Sequence, residues 1–221
     1  MINFINYLSF SRMMRSPFIF EKANEYGRWN RIRSSSSNTV PFNSSHTYPL
    51  TLDDYAENVI ALVDGKPVKT LYVEIRPTNL CNHDCKGCFS KAKRNCSKGC
   101  FNYSIPYDRL VELLTEINEQ GTAFVRFSGG GEPLLYSGID NIIAKTFQHG
   151  IGTMLITNGS LLHKRDPNGL VENLNMLRVS INGGEKTHSE IHNFNENDFR
   201  NILNSLRTIN TLRTPKLKEQ L

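Results

Sequence analysis

Three cysteines, Cys81, Cys85 and Cys88, fall within eight consecutive residues of this 221-residue chain. They follow residues 71–75, a mostly apolar segment whose composition favours a β-strand. Thiolates bind soft and borderline metals, and short spacings let them converge on one centre. The residues between them are polar, which argues against the alternative of cysteines buried in an apolar core. We therefore predict a metal site in the loop after this strand.

A glycine-rich segment lies about 40 residues further along the chain and offers a second candidate site. Gly130, Gly131 and Glu132 directly follow residues 124–128, which are predicted to form a buried strand. Glycine lets the backbone approach a ligand closely, and a neighbouring carboxylate can accept hydrogen bonds from an ammonium group. The alternative is an ordinary glycine turn that ends at Pro133.

The spacing Cys-x3-Cys-x2-Cys, followed by the aromatic Phe89, resembles the radical S-adenosylmethionine family. The resemblance implies that Cys81, Cys85 and Cys88 hold a [4Fe–4S] cluster whose fourth iron is chelated by S-adenosylmethionine. It also implies that one electron from the cluster cleaves this cofactor to a 5′-deoxyadenosyl radical, which abstracts a hydrogen atom from a substrate.

The same resemblance assigns cofactor contacts to residues at the ends of two strands. In the family, a Gly-Gly-Glu segment contacts the methionine amino group, which corresponds to Gly130, Gly131 and Glu132. Polar side chains near the end of the fourth strand contact the ribose or the carboxylate. Ser180 and Asn182 alternate along a predicted strand, so they are expected to face the same side and to fill that role.

Helical periodicities alternate with the predicted strands. Apolar spacing predicts helices around residues 110–117, 139–147 and 199–209, with a shorter helix at 170–174. The helix around 199–209 is expected to end before Pro215. This alternation predicts an α/β fold with a parallel sheet and right-handed crossovers. With the resemblance, it indicates about four βα units of a partial TIM-like barrel of the radical SAM type.

The core of that family usually has six βα units, so the resemblance implies that the last units are missing from this chain. It extends over residues 70–210, and the polar segment after it does not predict a fifth strand. We expect an incomplete core domain at 51–221, preceded by a flexible basic and serine-rich tail at 1–50. A fragment, an interrupted reading frame and a split enzyme with a complementing chain are the alternatives.

Charge and hydropathy exclude several classes of function. Residues 1–50 contain six lysines and arginines and two acidic residues, so this tail accounts for +4 of the net charge of +5. A folded nucleic-acid-binding surface is therefore not expected. No apolar run reaches the roughly 18–20 residues of a membrane helix. An oxygen-sensitive cluster held by thiolates predicts a reducing, cytoplasmic location, and the resemblance implies an electron donor such as flavodoxin or ferredoxin.

Five further residues are candidate ligands outside this pattern. Cys96 and Cys100 are interpreted as thiols of a solvent loop, with ligands of an auxiliary metal as the alternative. His83 is expected to be an exposed loop residue. His188 and His192 have i, i+4 spacing and are expected on the surface of a helix.

The sequence therefore predicts a radical SAM enzyme domain that acts on an unknown substrate. The alternatives are a degenerate protein that binds a cluster without turnover and a structural zinc-binding interaction module. The zinc module accounts for the cysteines but leaves the glycine-glutamate segment and the strand-helix order unexplained.

Overall fold

The structure is a computed structural model that describes residues 52–91 and 103–218. The predicted tail at 1–50 lies outside these ranges, as do Cys96 and Cys100. Backbone contacts divide the chain into two units, which comprise residues 1–68 and 69–221.

The described part of the first unit contains one helix, α1 (Leu52–Val63). The second unit alternates strands and helices. Its strands are β1 (Tyr72–Ile75), β2 (Phe124–Phe127), β3 (Gly152–Thr157) and β4 (Met176–Val179). Its α-helices are α2 (Tyr107–Glu119), α3 (Ile139–Gln148), α4 (Pro167–Asn173), α5 (Glu185–His192) and α6 (Glu196–Lys218). Short 3₁₀ turns follow β2 at Pro133–Leu135 and β3 at Leu162–Lys164.

The four strands form one parallel sheet in the order β1-β2-β3-β4. In the register, Tyr72 of β1 is opposite Phe124 of β2, and Met154 of β3 is opposite Met176 of β4. The order follows the chain, so successive crossovers advance in the same direction, as in a barrel, and the order does not reverse as in a doubly wound sheet. The prediction of an α/β fold with about four βα units of a partial barrel is confirmed.

The core of the second unit lies between the sheet and its helices. Buried apolar residues of the strands, such as Val125 and Leu155, belong to the same cluster as the apolar faces of α2 and α3. The i, i+3, i+4 spacing places one face of each helix against the sheet. The buried members of those faces are Leu110, Leu114, Ile117, Ile139, Ile142 and Ile143. Each fully buried side chain of this size contributes about 1.5–3 kcal/mol.

The last helix is longer than the sequence predicts. α6 continues to Lys218, so the expected end before Pro215 is wrong. Proline lacks an N–H group and removes one backbone hydrogen bond, but Pro215 lies within the last turn of α6. Although α6 has 23 residues, no helix among the described residues is both long and apolar enough to cross a membrane.

Candidate functional site

The carboxyl ends of the four strands share one edge of the sheet, because the strands are all parallel. Residues 76–91, here called the cysteine loop, follow β1. Residues 129–132, here called the glycine run, follow β2. Ser180 and Asn182 follow β4. The topology therefore brings all of the sequence-predicted site residues to this edge.

The cysteine loop carries three partly exposed cysteines that form no disulfide, Cys81, Cys85 and Cys88. The loop turns where the Cys88 N–H donates to the carbonyl of Cys85 at 3.3 Å. The Lys86 N–H donates to the carbonyl of Ile191 in α5 at 2.9 Å. One backbone hydrogen bond therefore joins the loop to α5, while the three cysteines stay partly exposed.

The glycine run packs against the backbone that leads into the first cysteine. The Glu132 N–H donates to the Leu80 carbonyl at 2.7 Å. A Cβ on Gly131 would lie 2.0 Å from that same oxygen, which no side chain can tolerate. A Cβ on Gly130 would lie 2.9 Å from the Asn79 side chain. Glycine is therefore required at Gly131 by contact with the protein's own chain.

The Glu132 carboxylate is buried, with 2% of the residue exposed, and connects the ends of β2 and β3. It accepts hydrogen bonds from the Leu134 N–H at 3.0 Å, the Thr157 hydroxyl at 2.6 Å and the Asn158 N–H at 2.8 Å. Burial raises the pKa of this carboxyl above its ordinary value, against the lowering effect of the three donors. A carboxylate has roughly four acceptor positions, and donors among the described residues fill three of them.

A network of amides connects the cysteine loop to the end of β3. The Asn158 side-chain amide donates to Asn82 Oδ1 at 3.0 Å, and the Asn82 amide donates to Ser160 Oγ at 2.8 Å. Ser160 Oγ in turn lies 2.8 Å from Asn158 Oδ1. The sequence did not predict Asn82 or Ser160 as site residues. The available signal was a polar Asn-Gly-Ser segment directly after a strand, which is also ordinary turn chemistry.

The two polar residues after β4 have different surroundings. Ser180 is exposed, and its N–H continues the sheet by donating to the Thr157 carbonyl at 2.9 Å. Asn182 is also exposed, but its Oδ1 lies 2.9 Å from His192 Nε2, and its N–H donates to His188 Nδ1 at 3.3 Å. The Asn182 side chain is therefore already bonded to a histidine of α5.

Three histidines form a buried cluster beside the cysteine loop. His83, His188 and His192 are each at most 4% exposed, so the expectation of an exposed loop residue and two helix-surface residues is wrong. The rings of His188 and His192, one turn apart on α5, stack with centroids 4.0 Å apart. His83 packs against Phe194 with centroids 4.2 Å apart. His83 and His192 are 109 positions apart in the chain, so no local spacing predicts this contact.

One cysteine of the loop contacts this cluster. Cys85 Sγ lies 3.5 Å from His192 Nδ1, and His83 Nδ1 lies 3.0 Å from the same nitrogen. Burial, together with the smaller effect of the neighbouring histidines, lowers the pKa of His83 and of His192 to about 4. Both rings are therefore neutral at neutral pH. The ligand atoms of His83, Cys85 and His192 lie within 4.8 Å of one another and could hold a metal ion.

The fold is similar to that of solved structures. Streptococcus suis SuiB bound to S-adenosylmethionine matches with a TM-score of 0.55 at 20% sequence identity. The match covers 70% of this chain and 36% of that chain. At this level of identity the similarity shows the fold alone.

Two curated relatives match part of the chain. A GTP 3′,8-cyclase of Helicobacter pylori is 30% identical over 112 residues, which are 50% of this chain and 34% of that protein. An S-adenosylmethionine-dependent nucleotide dehydratase of Lacinutrix mariniflava is 29% identical over 145 residues, which are 60% of this chain and 29% of that protein. The chain thus spans about a third of the length of these relatives.

The model of one family matches most of the second unit. Residues 75–217, which include the cysteine loop from Cys81 to Cys88 and the glycine run, match the radical SAM superfamily. Members of that superfamily use a [4Fe–4S] cluster and S-adenosylmethionine. The strand order, the three thiols and the family match agree, and the chain belongs to the radical SAM superfamily.

Proposed function

We propose that this chain carries the cluster-binding and cofactor-binding part of a radical SAM enzyme. Cys81, Cys85 and Cys88 ligate a [4Fe–4S] cluster, and the glycine run binds the methionine end of S-adenosylmethionine. Together the two bound groups supply one-electron chemistry, in which S-adenosylmethionine is reductively cleaved to a 5′-deoxyadenosyl radical that abstracts hydrogen from a substrate.

The chemistry of the donor set fits a cluster. Thiolates are the ligands that hold iron–sulfur clusters in proteins, and a set of three leaves one iron of a [4Fe–4S] cluster for an external ligand. The thiols of the cysteine loop are partly exposed rather than sealed in the core, so a ligand can reach that iron. A closed structural zinc site would need a fourth protein ligand.

The observation that carries the proposal is the contact between the cysteine loop and the glycine run. The Glu132 N–H bonds to the carbonyl of Leu80, which directly precedes Cys81. The segment proposed for the cofactor thus lies beside the segment proposed for the cluster. A ligand that chelates an iron of the cluster through its amino group would reach both segments.

Glu132 has the charge and the position to receive that amino group. Three protein donors orient its carboxylate at the end of β2 and β3. Its remaining acceptor position is available to the methionine ammonium, and a charge-assisted hydrogen bond of this type contributes about 1.5–3 kcal/mol. Gly130 and Gly131, which directly precede Glu132, are proposed to let the backbone approach the same ligand.

Ser180 and Asn182 are proposed as contacts for the ribose or the carboxylate of the cofactor. Both are exposed at the end of β4, on the edge of the sheet that also carries the cysteine loop. The Oδ1 atom of Asn182 bonds to His192, so its Nδ2 group remains the donor for a cofactor oxygen.

The electron donor and the compartment are parts of the same proposal. Thiolate ligands of an oxygen-sensitive cluster suit a reducing, cytoplasmic environment. A flavodoxin or a ferredoxin has the redox chemistry to reduce such a cluster. The tail at 1–50 is proposed to lie outside the core domain at 51–221.

Anaerobic reconstitution of the full chain with iron and sulfide tests the proposal. We expect a brown protein with about four irons and four sulfides per chain, as a [4Fe–4S] cluster requires. Replacing any one of Cys81, Cys85 and Cys88 by alanine should abolish the colour. The double variant Cys96→Ser/Cys100→Ser is the matched control and should retain the full iron content. A colourless protein that takes up one zinc per chain and no sulfide would contradict the proposal.

A further inference from the structure

The group formed by His83, Cys85 and His192 has the dimensions of a site for a single metal ion. A tetrahedral zinc ion with ordinary Zn–N and Zn–S bonds separates two nitrogens by about 3.3 Å, and a nitrogen from a sulfur by about 3.6 Å. In this structure His83 Nδ1 and His192 Nδ1 are 3.0 Å apart, and His192 Nδ1 and Cys85 Sγ are 3.5 Å apart. For these two pairs, binding an ion requires movements of only a few tenths of an ångström, and the ligand atoms of His83 and Cys85 lie within 4.8 Å of each other.

The second nitrogen of His192 has the partner that a metal-binding histidine usually has. Its Nε2 lies 2.9 Å from Asn182 Oδ1, so Nε2 carries the hydrogen and Nδ1 presents its lone pair towards Cys85. Histidine ligands of metals are commonly oriented by such a hydrogen bond from the other ring nitrogen. The Asn182 N–H also donates to His188 Nδ1 at 3.3 Å, and the His188 ring stacks on His192. Asn182 and His188 therefore fix the orientation of the ligand.

His83 can also present a lone pair on Nδ1 to an ion bound between these residues. Its Nε2 is buried and has no hydrogen-bond partner among the described residues, so no hydrogen bond on that side holds the ring in one tautomer. In the metal-free chain, the Nδ1–H of His83 can donate to the His192 lone pair at 3.0 Å. With a metal bound, His83 carries its hydrogen on Nε2 and Cys85 releases its thiol proton to solvent.

We infer that His83, Cys85 and His192 bind one divalent zinc-like ion in the chain that has no cluster, with the fourth position left to water. Imidazole nitrogens and a thiolate form a ligand set that suits zinc. The ion would join the cysteine loop to α5, which the backbone hydrogen bond from Lys86 to Ile191 already connects. One consequence rests on the proposed function. Because the cluster and the single ion both need Cys85, they should compete for the chain.

Cobalt is the probe for this site, because it takes the place of zinc and its thiolate complexes have a charge-transfer band. Co²⁺ titrated anaerobically into the cluster-free full chain should bind in a ratio of one per chain and produce this band. The band should disappear when Zn²⁺ is added. Cys85→Ala and His192→Ala should abolish it, and Asn182→Ala should weaken cobalt binding about tenfold to hundredfold through the lost orienting bond.

The matched control is the double variant Cys81→Ala/Cys88→Ala, which should keep the cobalt band but form no cluster. His192→Ala should behave in the opposite way, because it lacks the single-ion site but retains all three cluster thiols. Cluster formation in that variant also proves that it folds. The variant Cys96→Ser/Cys100→Ser should keep the band.

Two results would overturn the inference. One is a cobalt band that persists in His192→Ala and is lost in the Cys81→Ala/Cys88→Ala variant, which would place the ion on the three thiolates. The other is the absence of stoichiometric cobalt binding by the wild-type chain. If cobalt binding is as expected in every protein but neither wild type nor any variant forms a cluster, the single-ion site stands and the proposed function fails.

Discussion

Glu132 combines two properties at the scale of a single residue. It is almost fully buried, yet hydrogen bonds from Leu134, Thr157 and Asn158 replace those that its carboxylate would make with water. It therefore stabilises the junction between β2 and β3, and we propose that it also offers one acceptor position to a ligand. Removing the whole side chain would leave three buried donors without a partner, so a conservative replacement is needed to separate the two roles.

Glu132→Gln should weaken S-adenosylmethionine binding while the cluster stays intact. Glutamine retains a carbonyl oxygen for two of the protein donors but loses the charge that receives the ammonium. We expect a loss of about 1.5–3 kcal/mol in binding free energy, which is tenfold or more in affinity. Cofactor titration of the reconstituted protein measures this, with Glu119→Gln at the exposed end of α2 as the control. Equal affinity for wild type and Glu132→Gln would remove Glu132 from the cofactor site.

The raised pKa of Glu132 also predicts a pH dependence of stability. The folded-state pKa lies above the unfolded value of about 4.3. The stability contributed by this group is therefore fully present below the unfolded pKa and is lost as the pH rises through the folded pKa. The free energy of unfolding of the cluster-free wild type, relative to Glu132→Gln, should fall over this window. Urea unfolding of both proteins from acidic to neutral pH measures the difference, and a constant difference would contradict the prediction.

At the scale of elements, the site depends on two loops that touch through their backbones. The cysteine loop leaves β1 and the glycine run leaves β2, and Gly131 lies against the Leu80 carbonyl so closely that a Cβ has no room. The Asn82 side chain of the cysteine loop also makes hydrogen bonds with Asn158 and Ser160, directly after β3. The positions of the thiols are therefore set by neighbouring strand ends as well as by the loop itself.

Gly131→Ala should disturb both stability and cluster binding. The added Cβ would lie 2.0 Å from a backbone oxygen that no side-chain rotation can move. Strain of this kind costs about 1–3 kcal/mol, and the loop that carries Cys81 must shift. Gly87→Ala in the same loop is the matched control, because a Cβ there has open space. The free energy of unfolding, measured with a chemical denaturant, and the iron content after reconstitution should fall for Gly131→Ala but not for Gly87→Ala. Equal values for the two variants would show that the contact is unimportant.

For the whole molecule, the sheet has two open edges within the residues that the structure describes, one at β1 and one at β4. β4 pairs with β3 on one side, and no strand in residues 52–91 or 103–218 pairs with its other side. The backbone groups along such an edge can pair with another strand. The family resemblance predicts six βα units, so we propose that further strands, from the same protein or from a complementing chain, cover β4.

The chain of residues 1–221 should therefore associate when it is studied alone. We expect a concentration-dependent increase in mass under reducing conditions and little cleavage of S-adenosylmethionine, because β4 has an open side and the described sheet has four of the six strands that the family resemblance predicts. Hydrogen exchange locates the contact. Amides of β4 should gain protection on association, whereas those of β2 and β3, which pair on both sides, should not. A monomer at all concentrations that cleaves the cofactor repeatedly would show that four units suffice.

The sequence by itself determined the features that depend on short spacings. Cys81, Cys85 and Cys88 are close in the chain, so their types and intervals indicated a metal site, and the family match agrees. The strands and the helices α2 and α3 followed from local apolar periodicity. Their parallel order followed from the alternation of strands and helices. These features are local because hydrogen-bond patterns in helices and side-chain alternation in strands repeat within a few residues.

Only the tertiary structure decided which groups are buried and what they contact. His83 and His192 are polar and lie in polar segments, yet packing of α5 against the cysteine loop buries both. The same packing gives Asn182 its contact with His192 and makes Cys85 a neighbour of two imidazoles. Gly131 is needed because the Leu80 carbonyl approaches it from another strand end. Such contacts join residues far apart in sequence, and their energy depends on chain topology, which leaves no periodic signal in the residues themselves.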